Sequence, residues 1–226
     1  MLLLVWLTLC ILNFLPNCKA AEKVIVFCVG DSITKGSHAT DKTKTSYPAV
    51  LEELLNKGGD TRFVVHNYGI GGNTVQKHGV GDGNDPPSMS YWDSKYYRVA
   101  TSGTPSIVIL QFGTNDAKSQ NWNENRFLDD YVDMINSFKS LACEPVIFIC
   151  IPPPIYLPFM NIQLEIVNGV LPKVIRKIAE KTGVRVIDLF DAMGGEKLNK
   201  QNLYLDKGKP IKWPNDGGSS TVIPTQ

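Results

Sequence analysis

The stretch VIVFCVGDSI, residues 24–33, carries the clearest architectural signal in the chain. Residues 24–29 form an unbroken apolar run. Such a run predicts a strand buried on both faces, because a strand with one face in water alternates apolar and polar side chains. Gly30 and Asp31 end the run, and Ser32 follows where the chain leaves the sheet. The stretch therefore predicts a parallel sheet that presents a hydroxyl group at its carboxyl edge.

Four further apolar runs and three longer segments of helical spacing follow this strand. The predicted strands are residues 63–66, 107–112, 146–151 and 184–189, and the predicted helices are residues 47–57, 124–141 and 166–183. Pro172 predicts a kink in the third helix or, preferably, a start after Asn168. Residues 75–92 lack periodicity and are expected to run over the surface. The alternation is typical of an α/β fold with three layers, α/β/α, around a central parallel five-stranded sheet.

Residues 1–20 carry the apolar run LLLVWLTLCILNFL, with Cys18 and Ala20 as small residues before a cut after Ala20. This pattern predicts a secretory signal peptide and an extracellular protein. A membrane anchor is the alternative, but the run is shorter than the ~20 residues that a bilayer span requires. Residues 21–226 then fit a single domain.

The formal charge of +1 falls by one, to 0, when Lys19 leaves with the signal peptide. A neutral protein has no electrostatic attraction for nucleic acid or anionic membranes, so we expect a small-molecule partner. We also expect a monomer. Cys28, Cys143 and Cys150 remain, and an odd number argues against a disulfide framework. Cys28 and Cys150 are expected to be buried thiols, with a single bridge as the alternative.

Small and polar residues follow three of the predicted strands. GDSI follows the first, NYGIGGNT at residues 67–74 follows the second, and GTND at residues 113–116 follows the third. Alone, Ser32 is equally consistent with a helix cap, and the other two runs with ordinary turns. Their convergence on one edge of the sheet favours a site. A phosphate-binding loop is excluded because Lys35 and Gly36 stand in the reverse order, and the hydrolase motif GxSxG is absent.

In this order, GDSI, GIGGNT and GTND resemble blocks one, two and three of the SGNH hydrolases, also called GDSL-like lipases or acylhydrolases, with Ile33 in place of leucine. The resemblance runs from about residue 24 to Asp216 and includes IPPP at residues 151–154. It implies a flavodoxin-like fold. It also implies a serine-dependent carboxylic-ester hydrolase that forms an acyl-enzyme and uses no metal or organic cofactor.

The resemblance also implies roles for individual residues. Ser32 resembles the nucleophile, Gly72 the glycine whose N–H lines the oxyanion hole, and Asn115 the residue whose amide completes that hole beside the Ser32 N–H. Such donors stabilise the negative charge that develops on the former carbonyl oxygen. Asp216 resembles the catalytic aspartate of the family's final DxxH block.

That final block differs at its last position, because Ser219 stands where the family has the histidine that accepts the serine's proton. The three histidines of the chain lie elsewhere. His38 is only six positions after Ser32, His66 is expected to pack at the end of an inner strand, and His78 would have to swing over the rim from a long loop. We therefore expect weak or absent catalysis in this form.

Two explanations compete for the missing histidine. The chain is either a truncated or alternatively spliced form of an active esterase, with the C-terminal end of the 21–226 domain incomplete, or a pseudo-enzyme that binds its ligand without cleaving it. The loss of both the histidine and the closing helix of the family within a few residues favours the first explanation.

Acetylated carbohydrate or a small ester is the expected substrate. Four aromatic residues offer flat faces of the kind on which sugars stack, but they are equally consistent with packing in the core: Tyr91, Trp92, Tyr96 and Tyr97. Hypotheses from other classes are a catalytically inactive, secreted ligand- or carbohydrate-binding protein and a purely structural α/β module.

Overall fold

The computed structural model describes residues 23–59, 61–78, 89–156 and 160–195, together with the backbone of residues 205–206 and 209–210. The predicted signal peptide, Asp216 and Ser219 lie outside these residues. In the part of the chain that is described, every helix is too short or too polar to cross a membrane.

The centre of the fold is a parallel sheet of five strands in the order β2-β1-β3-β4-β5. The strands are β1 (Val24–Gly30), β2 (Phe63–Gly69), β3 (Ile107–Gln111), β4 (Val146–Ile151) and β5 (Arg185–Asp188). A short antiparallel pair, β6 (Leu205–Asp206) and β7 (Lys209–Pro210), lies later in the chain. The predicted fold class is confirmed, including the number of strands in the main sheet and their parallel pairing.

Seven α-helices are described. They are α1 (Ser32–Lys35), α2 (Lys42–Thr45), α3 (Tyr47–Leu55), α4 (Lys95–Ala100), α5 (Glu124–Lys139), α6 (Leu171–Thr182) and α7 (Leu189–Ala192), with a 3₁₀ turn at Tyr91–Asp93 and a π turn at Ile166–Val170. The Asn123 side chain caps α5 by accepting a hydrogen bond from the Arg126 N–H. The chain is already helical before Pro172, in the π turn that runs directly into α6, so the preferred start after Asn168 is wrong and the alternative, a distortion of one helix near the proline, agrees with the structure.

Two apolar clusters cover the two faces of the sheet. On one face, Phe27 and Leu110 pack with residues of α5 and α6, and on the other face Cys28 packs with Leu51 of α3. Neighbouring residues of a strand point to opposite faces, so the apolar run of residues 24–29 supplies both clusters. This is the physical reason for its unbroken hydrophobicity.

The three cysteines within the domain are free thiols, with Cys28 and Cys150 buried and Cys143 exposed. Cys28 lies on β1 and Cys150 on β4, and β3 separates these strands. Two strand spacings are about 9.5 Å, which exceeds the roughly 7 Å limit between the Cα atoms of a disulfide. The alternative of a bridge between these two residues is therefore wrong.

Two local expectations are corrected. The ends of the segment 75–92 are core rather than surface, because Val75 and Tyr91 are fully buried and the Trp92 indole donates to the Val75 carbonyl at 2.8 Å. Residues 79–88 of this segment lie outside the described part. His66 is exposed because β2 is an edge strand of the sheet, whereas the sequence interpretation placed it on an inner strand.

Candidate active site

The strand order creates a crevice at the carboxyl edge of the sheet, between β1 and β3. Beyond β1 the chain continues to β2 on one side, and beyond β3 it continues to β4 on the other. Connections that diverge in this way leave an opening at the point where the strand order reverses, and doubly wound proteins bind ligands there. Ser32 follows β1 and Asn115 follows β3, so they lie on the two sides of this opening.

Ser32 is the first residue of α1, which packs directly on the ends of the strands. The Asp31 carboxylate caps this helix by accepting a hydrogen bond from the Ile33 N–H at 2.8 Å. A Cβ at Gly30 would lie 2.3 Å from Thr34 Oγ1, and a Cβ at Gly69 would lie 2.1 Å from the Lys35 nitrogen. Only glycine at both positions permits this close approach, which fixes the serine at the edge of the sheet.

A hydroxyl network beneath α1 holds the helix from below. Thr34 is fully buried, and its hydroxyl donates to Gln111 Oε1 at 3.3 Å and lies 3.2 Å from the Tyr47 hydroxyl. Gln111 belongs to β3 and Tyr47 to α3. The short helix that carries Ser32 is therefore tied to the neighbouring strand and to a helix on one face of the sheet.

Gly69→Ala is expected to lower the free energy of unfolding by 3 kcal/mol or more, since overpacking against rigid backbone costs at least roughly 1–3 kcal/mol. The added methyl group would meet the backbone nitrogen of Lys35, which cannot move without displacing α1. Gly71→Ala is the matched control, because the atom nearest to its Cβ would be 3.5 Å away. Urea unfolding of both variants measures the difference, and equal stabilities would contradict the close packing of α1 on β2.

The turn after β2 approaches the serine from the other side. The Ile70 N–H donates to the Gly30 carbonyl at 2.9 Å, which joins this turn to the end of β1. A Cβ at Gly71 would lie 3.7 Å from Ser32 Cβ, so these residues are neighbours. Gly72 has φ +84°, and nothing lies within 4 Å of the position that its Cβ would take. The space around residue 72 is open, so close packing does not require glycine there. Its positive φ is what favours glycine.

Asn115 reaches the same turn from β3. Its Nδ2 donates to the Asn73 carbonyl at 3.2 Å, and its side chain is buried, with 6% of the residue exposed. A primary amide has two N–H donors, so the second remains for another acceptor. Gly72 lies between Gly71, which is next to Ser32, and Asn73, which is bound by Asn115. The structure thus brings together the turns that carry the three predicted oxyanion-hole residues.

A buried polar network behind this turn was missed by the sequence interpretation. The Gln76 N–H donates to Asp116 Oδ1 at 2.9 Å, the Gln76 side chain donates to the Asn121 carbonyl at 2.9 Å, and the Asn121 side chain donates to the Asn115 carbonyl at 2.7 Å. These bonds join the turn after β2 to the turn after β3 over some 40 residues of chain. Nothing in the spacing of Gln76 or Asn121 indicates these bonds, because both partners are set by tertiary contact.

Two buried carboxyl groups lie below the serine. Burial raises the pKa of Asp31 to about 7, and the neighbouring charge of Asp116 adds to this shift while Lys118 and the Ile33 N–H oppose it. Burial also raises the pKa of Asp116 to about 6, against the opposing hydrogen bonds from the Gln76 and Val75 N–H groups. Each carboxyl keeps one oxygen without a hydrogen-bond partner among the described residues. A buried oxygen without a partner disfavours the ionised form, in agreement with the raised pKa values.

Asp31→Asn is expected to become more stable relative to the unchanged protein as the pH rises. The folded pKa of Asp31, about 7, exceeds its usual value of 3.8, so the folded state binds more protons between these limits. The stability that the protonated carboxyl contributes is fully present below pH 3.8 and is lost as the pH rises to about 7. Chemical denaturation at pH 4, 5.5 and 8 measures the difference between the two proteins, and a difference independent of pH would contradict a raised pKa.

The remaining predicted residues contribute less to this edge of the sheet. His38, His66 and His78 are all exposed. Tyr91 is a core residue whose hydroxyl donates to the Tyr68 carbonyl at 2.7 Å, so the expectation of a sugar-stacking face is wrong for this residue. The rings of Trp92 and Tyr97 pack against each other, with centroids 4.8 Å apart. In the described part of the chain, no group of three His, Cys, Asp or Glu residues is placed to hold a metal ion.

Residues 28–219 match the GDSL-like Lipase/Acylhydrolase family. This match spans most of the chain and includes the turns that carry Ser32, Gly72 and Asn115. The protein therefore belongs to this family, which confirms the resemblance found in its motifs. The matched region ends at Ser219, the position at which the DxxH block departs from the family pattern.

Similar proteins include esterases that act on carbohydrates. An acetylxylan esterase of Xylanibacter ruminicola is 26% identical over 230 residues, which cover 93% of this chain and 44% of the relative. The chain thus spans less than half the length of this curated relative. The solved structure of an acetylxylan esterase from Geobacillus stearothermophilus has a TM-score of 0.60 and 19% identity, covering 86% of this chain and 90% of that one.

A carbohydrate acetylesterase family member from Sinorhizobium meliloti has a TM-score of 0.56 and 19% identity, with 73% of this chain and 82% of that chain covered. At this level of identity the two solved structures support the fold. They confirm the three-layer arrangement around a parallel sheet that the sequence predicted.

Proposed function

We propose that this protein is a serine-dependent carboxylic-ester hydrolase that acts on an acetylated carbohydrate or a small ester. The observation that carries the proposal is the meeting of three turns at the carboxyl edge of the sheet, with Ser32 beside Gly71 and Asn115 bound to Asn73. Membership of the acylhydrolase family supports it, as does the acetylxylan esterase relative.

In the proposed reaction, the Ser32 hydroxyl oxygen attacks the acyl carbonyl carbon and the carbonyl oxygen becomes an oxyanion. The Ser32 and Gly72 N–H groups and the free N–H of the Asn115 amide donate hydrogen bonds to this oxyanion. The bond to the alcohol then breaks, and the alcohol leaves with the proton of Ser32. Water hydrolyses the acyl-serine in a second step, which releases the acid and restores the hydroxyl group.

The proton of Ser32 needs an acceptor, and the residue at the family's histidine position is Ser219. Loss of the histidine from a comparable triad lowers turnover by about a million-fold. We therefore propose that turnover in this form is weak, and that Asp216 orients the histidine in a repaired site. Ser219 also favours a second candidate function, a secreted carbohydrate-binding protein that retains the site without cleaving its ligand.

Acetate release from acetylated xylo-oligosaccharides, followed by NMR, tests the proposal. The Ser219→His chain is compared with the same chain carrying Ser32→Ala or Ser37→Ala, the latter as the control for a hydroxyl group on the same short segment. We expect release that Ser32→Ala abolishes and Ser37→Ala leaves unchanged. Tight binding of the oligosaccharide with no release, in a chain whose residue 219 is histidine, would favour the binding protein instead.

We further propose that the protein is secreted and acts as a monomer free of the membrane once residues 1–20 are removed. The apolar run followed by Cys18 and Ala20 supports this proposal. Amino-terminal sequencing of protein recovered from the culture medium is expected to start at Ala21, and a membrane-bound product that retains residues 1–20 would contradict it.

A further inference from the structure

An open cavity of about 510 Å³ lies beside the turn that carries Ser32. It shares its inner wall with the candidate active site, because Lys35 comes from α1 while Gly69 and Ile70 come from the end of β2. A Cβ at Gly71 would lie 3.7 Å from Ser32 Cβ and 4.0 Å from Lys35 Cδ. Ser32 and the Lys35 side chain therefore both lie next to Gly71, and Lys35 also lines the cavity, so the cavity is close to a ligand bound at Ser32.

The cavity carries an excess of positive charge. Lys35, Lys42 and Lys95 line it, against the single carboxylate of Glu52. Within the described ranges, none of these three ammonium groups forms an ion pair. The whole chain has a formal charge of only +1, so the excess of positive charge is local to this cavity. An anionic group is the ligand that such a cluster attracts.

The other walls of the cavity suit a ring rather than a bare ion. Lys95 Nζ lies over the Tyr96 ring, 5.4 Å from its centroid, so the two side chains together form one wall of the cavity. Asn67 Oδ1 accepts from the Gly69 N–H at 3.0 Å, which orients the side chain, and its Nδ2 has no partner in the described part. A tyrosine side chain, an amide donor and cationic groups together match a sugar ring that carries an acidic substituent.

We propose that this cavity is a subsite for an anionic sugar ring next to the acetylated sugar whose ester faces Ser32. The inference rests on the proposed ester hydrolase function for the position of the ester, and on the lysine cluster for the choice of ligand. It restricts the substrate class to acetylated oligosaccharides that carry a carboxylate or a sulfate group.

Calorimetric binding at low salt, with unacetylated probes, tests this subsite without requiring ester cleavage. The probes are a xylo-oligosaccharide that carries one glucuronate, the same oligosaccharide with one sulfate group in its place, the unsubstituted oligosaccharide, and inorganic sulfate. The full chain is compared with the double variant Lys42→Gln, Lys95→Gln. Lys44→Gln is the matched control, because Lys44 lies on the same helix as Lys42 but pairs with Asp41 at 3.9 Å and does not line the cavity.

We expect one of the acidic oligosaccharides to bind about five- to tenfold more tightly than the neutral one, from two or three exposed charge contacts. The double variant should lose this preference, Lys44→Gln should keep it, and Glu52→Gln should increase it. The glucuronate and sulfate probes distinguish the two sources of charge. Equal affinity for acidic and neutral probes, or competition by inorganic sulfate at the same concentration, would overturn the subsite.

The two proposals fail in different ways. Acetate release that Ser32→Ala abolishes, together with no preference for acidic probes, would leave the hydrolase in place and remove the subsite. A preference for acidic probes that depends on Lys42 and Lys95, with no acetate release from the Ser219→His chain, would support the subsite and contradict the hydrolase.

Discussion

Replacing Ser219 by histidine is expected to raise kcat for p-nitrophenyl acetate by several orders of magnitude, up to about a million-fold. A histidine three residues after Asp216 recreates the DxxH pattern, in which the aspartate orients the imidazole and the imidazole accepts the proton of Ser32. Without this base the serine hydroxyl remains protonated at neutral pH and is a weak nucleophile.

Ser219→Ala is the matched control and should leave the low rate unchanged, since serine contributes no base. Adding Ser32→Ala to the histidine variant should abolish the gain. If the repaired chain, also when extended by a C-terminal helix of the family type, shows no turnover, the esterase assignment is wrong. If the unchanged chain already turns over at the rate of the repaired one, the proposed need for a histidine at residue 219 is wrong.

Asn115→Ala is expected to lower kcat by about 100- to 1,000-fold in the Ser219→His background, the range typical of one lost oxyanion-hole donor. KM should change little, because the negative charge on the oxygen develops only in the transition state. The kinetics of p-nitrophenyl acetate hydrolysis measure both constants.

The same substitution also removes the hydrogen bond to the Asn73 carbonyl, so a purely structural loss must be separated from a catalytic one. Thermal unfolding of Asn115→Ala measures the loss of stability that follows from removing this hydrogen bond. Asn136→Ala, which removes an exposed amide from α5, is the control for loss of an amide elsewhere. A fall in kcat no larger than that of Asn136→Ala would contradict a role for Asn115 at the oxyanion.

The central strands could be predicted because burial on both faces leaves a strong sequence signal. The first strand was predicted at residues 24–29 and extends to Gly30, and the fourth was predicted at its observed bounds. The second strand was underestimated, since it continues to Gly69 through polar residues. An edge strand has fewer neighbours in the sheet and therefore tolerates polar residues. Local sequence patterns do not reveal the order of the strands, so they could not identify this strand as an edge strand.

The turns of the site could also be located from the sequence, because their glycines are needed for physical reasons. Gly30 and Gly69 permit close packing, and Gly72 has a positive φ. The cross-links behind them could not be predicted. Gln76 and Asp116 are partners across 40 residues, and their pairing depends on how two turns meet in space. The raised pKa of Asp31 could not be predicted either, because it follows from burial of the carboxyl group, which the sequence of the turn does not reveal.

Covalent labelling with a fluorophosphonate, which reacts with activated serine hydroxyl groups, tests the central claim most directly. Trypsin cleaves after Lys35 and so separates the peptide VIVFCVGDSITK, which contains Ser32, from GSHATDK, which contains Ser37. In the Ser219→His chain we predict a single label on the first peptide, which Ser32→Ala removes. A label on the second peptide, or no label on either, would contradict the assignment of Ser32 as the nucleophile.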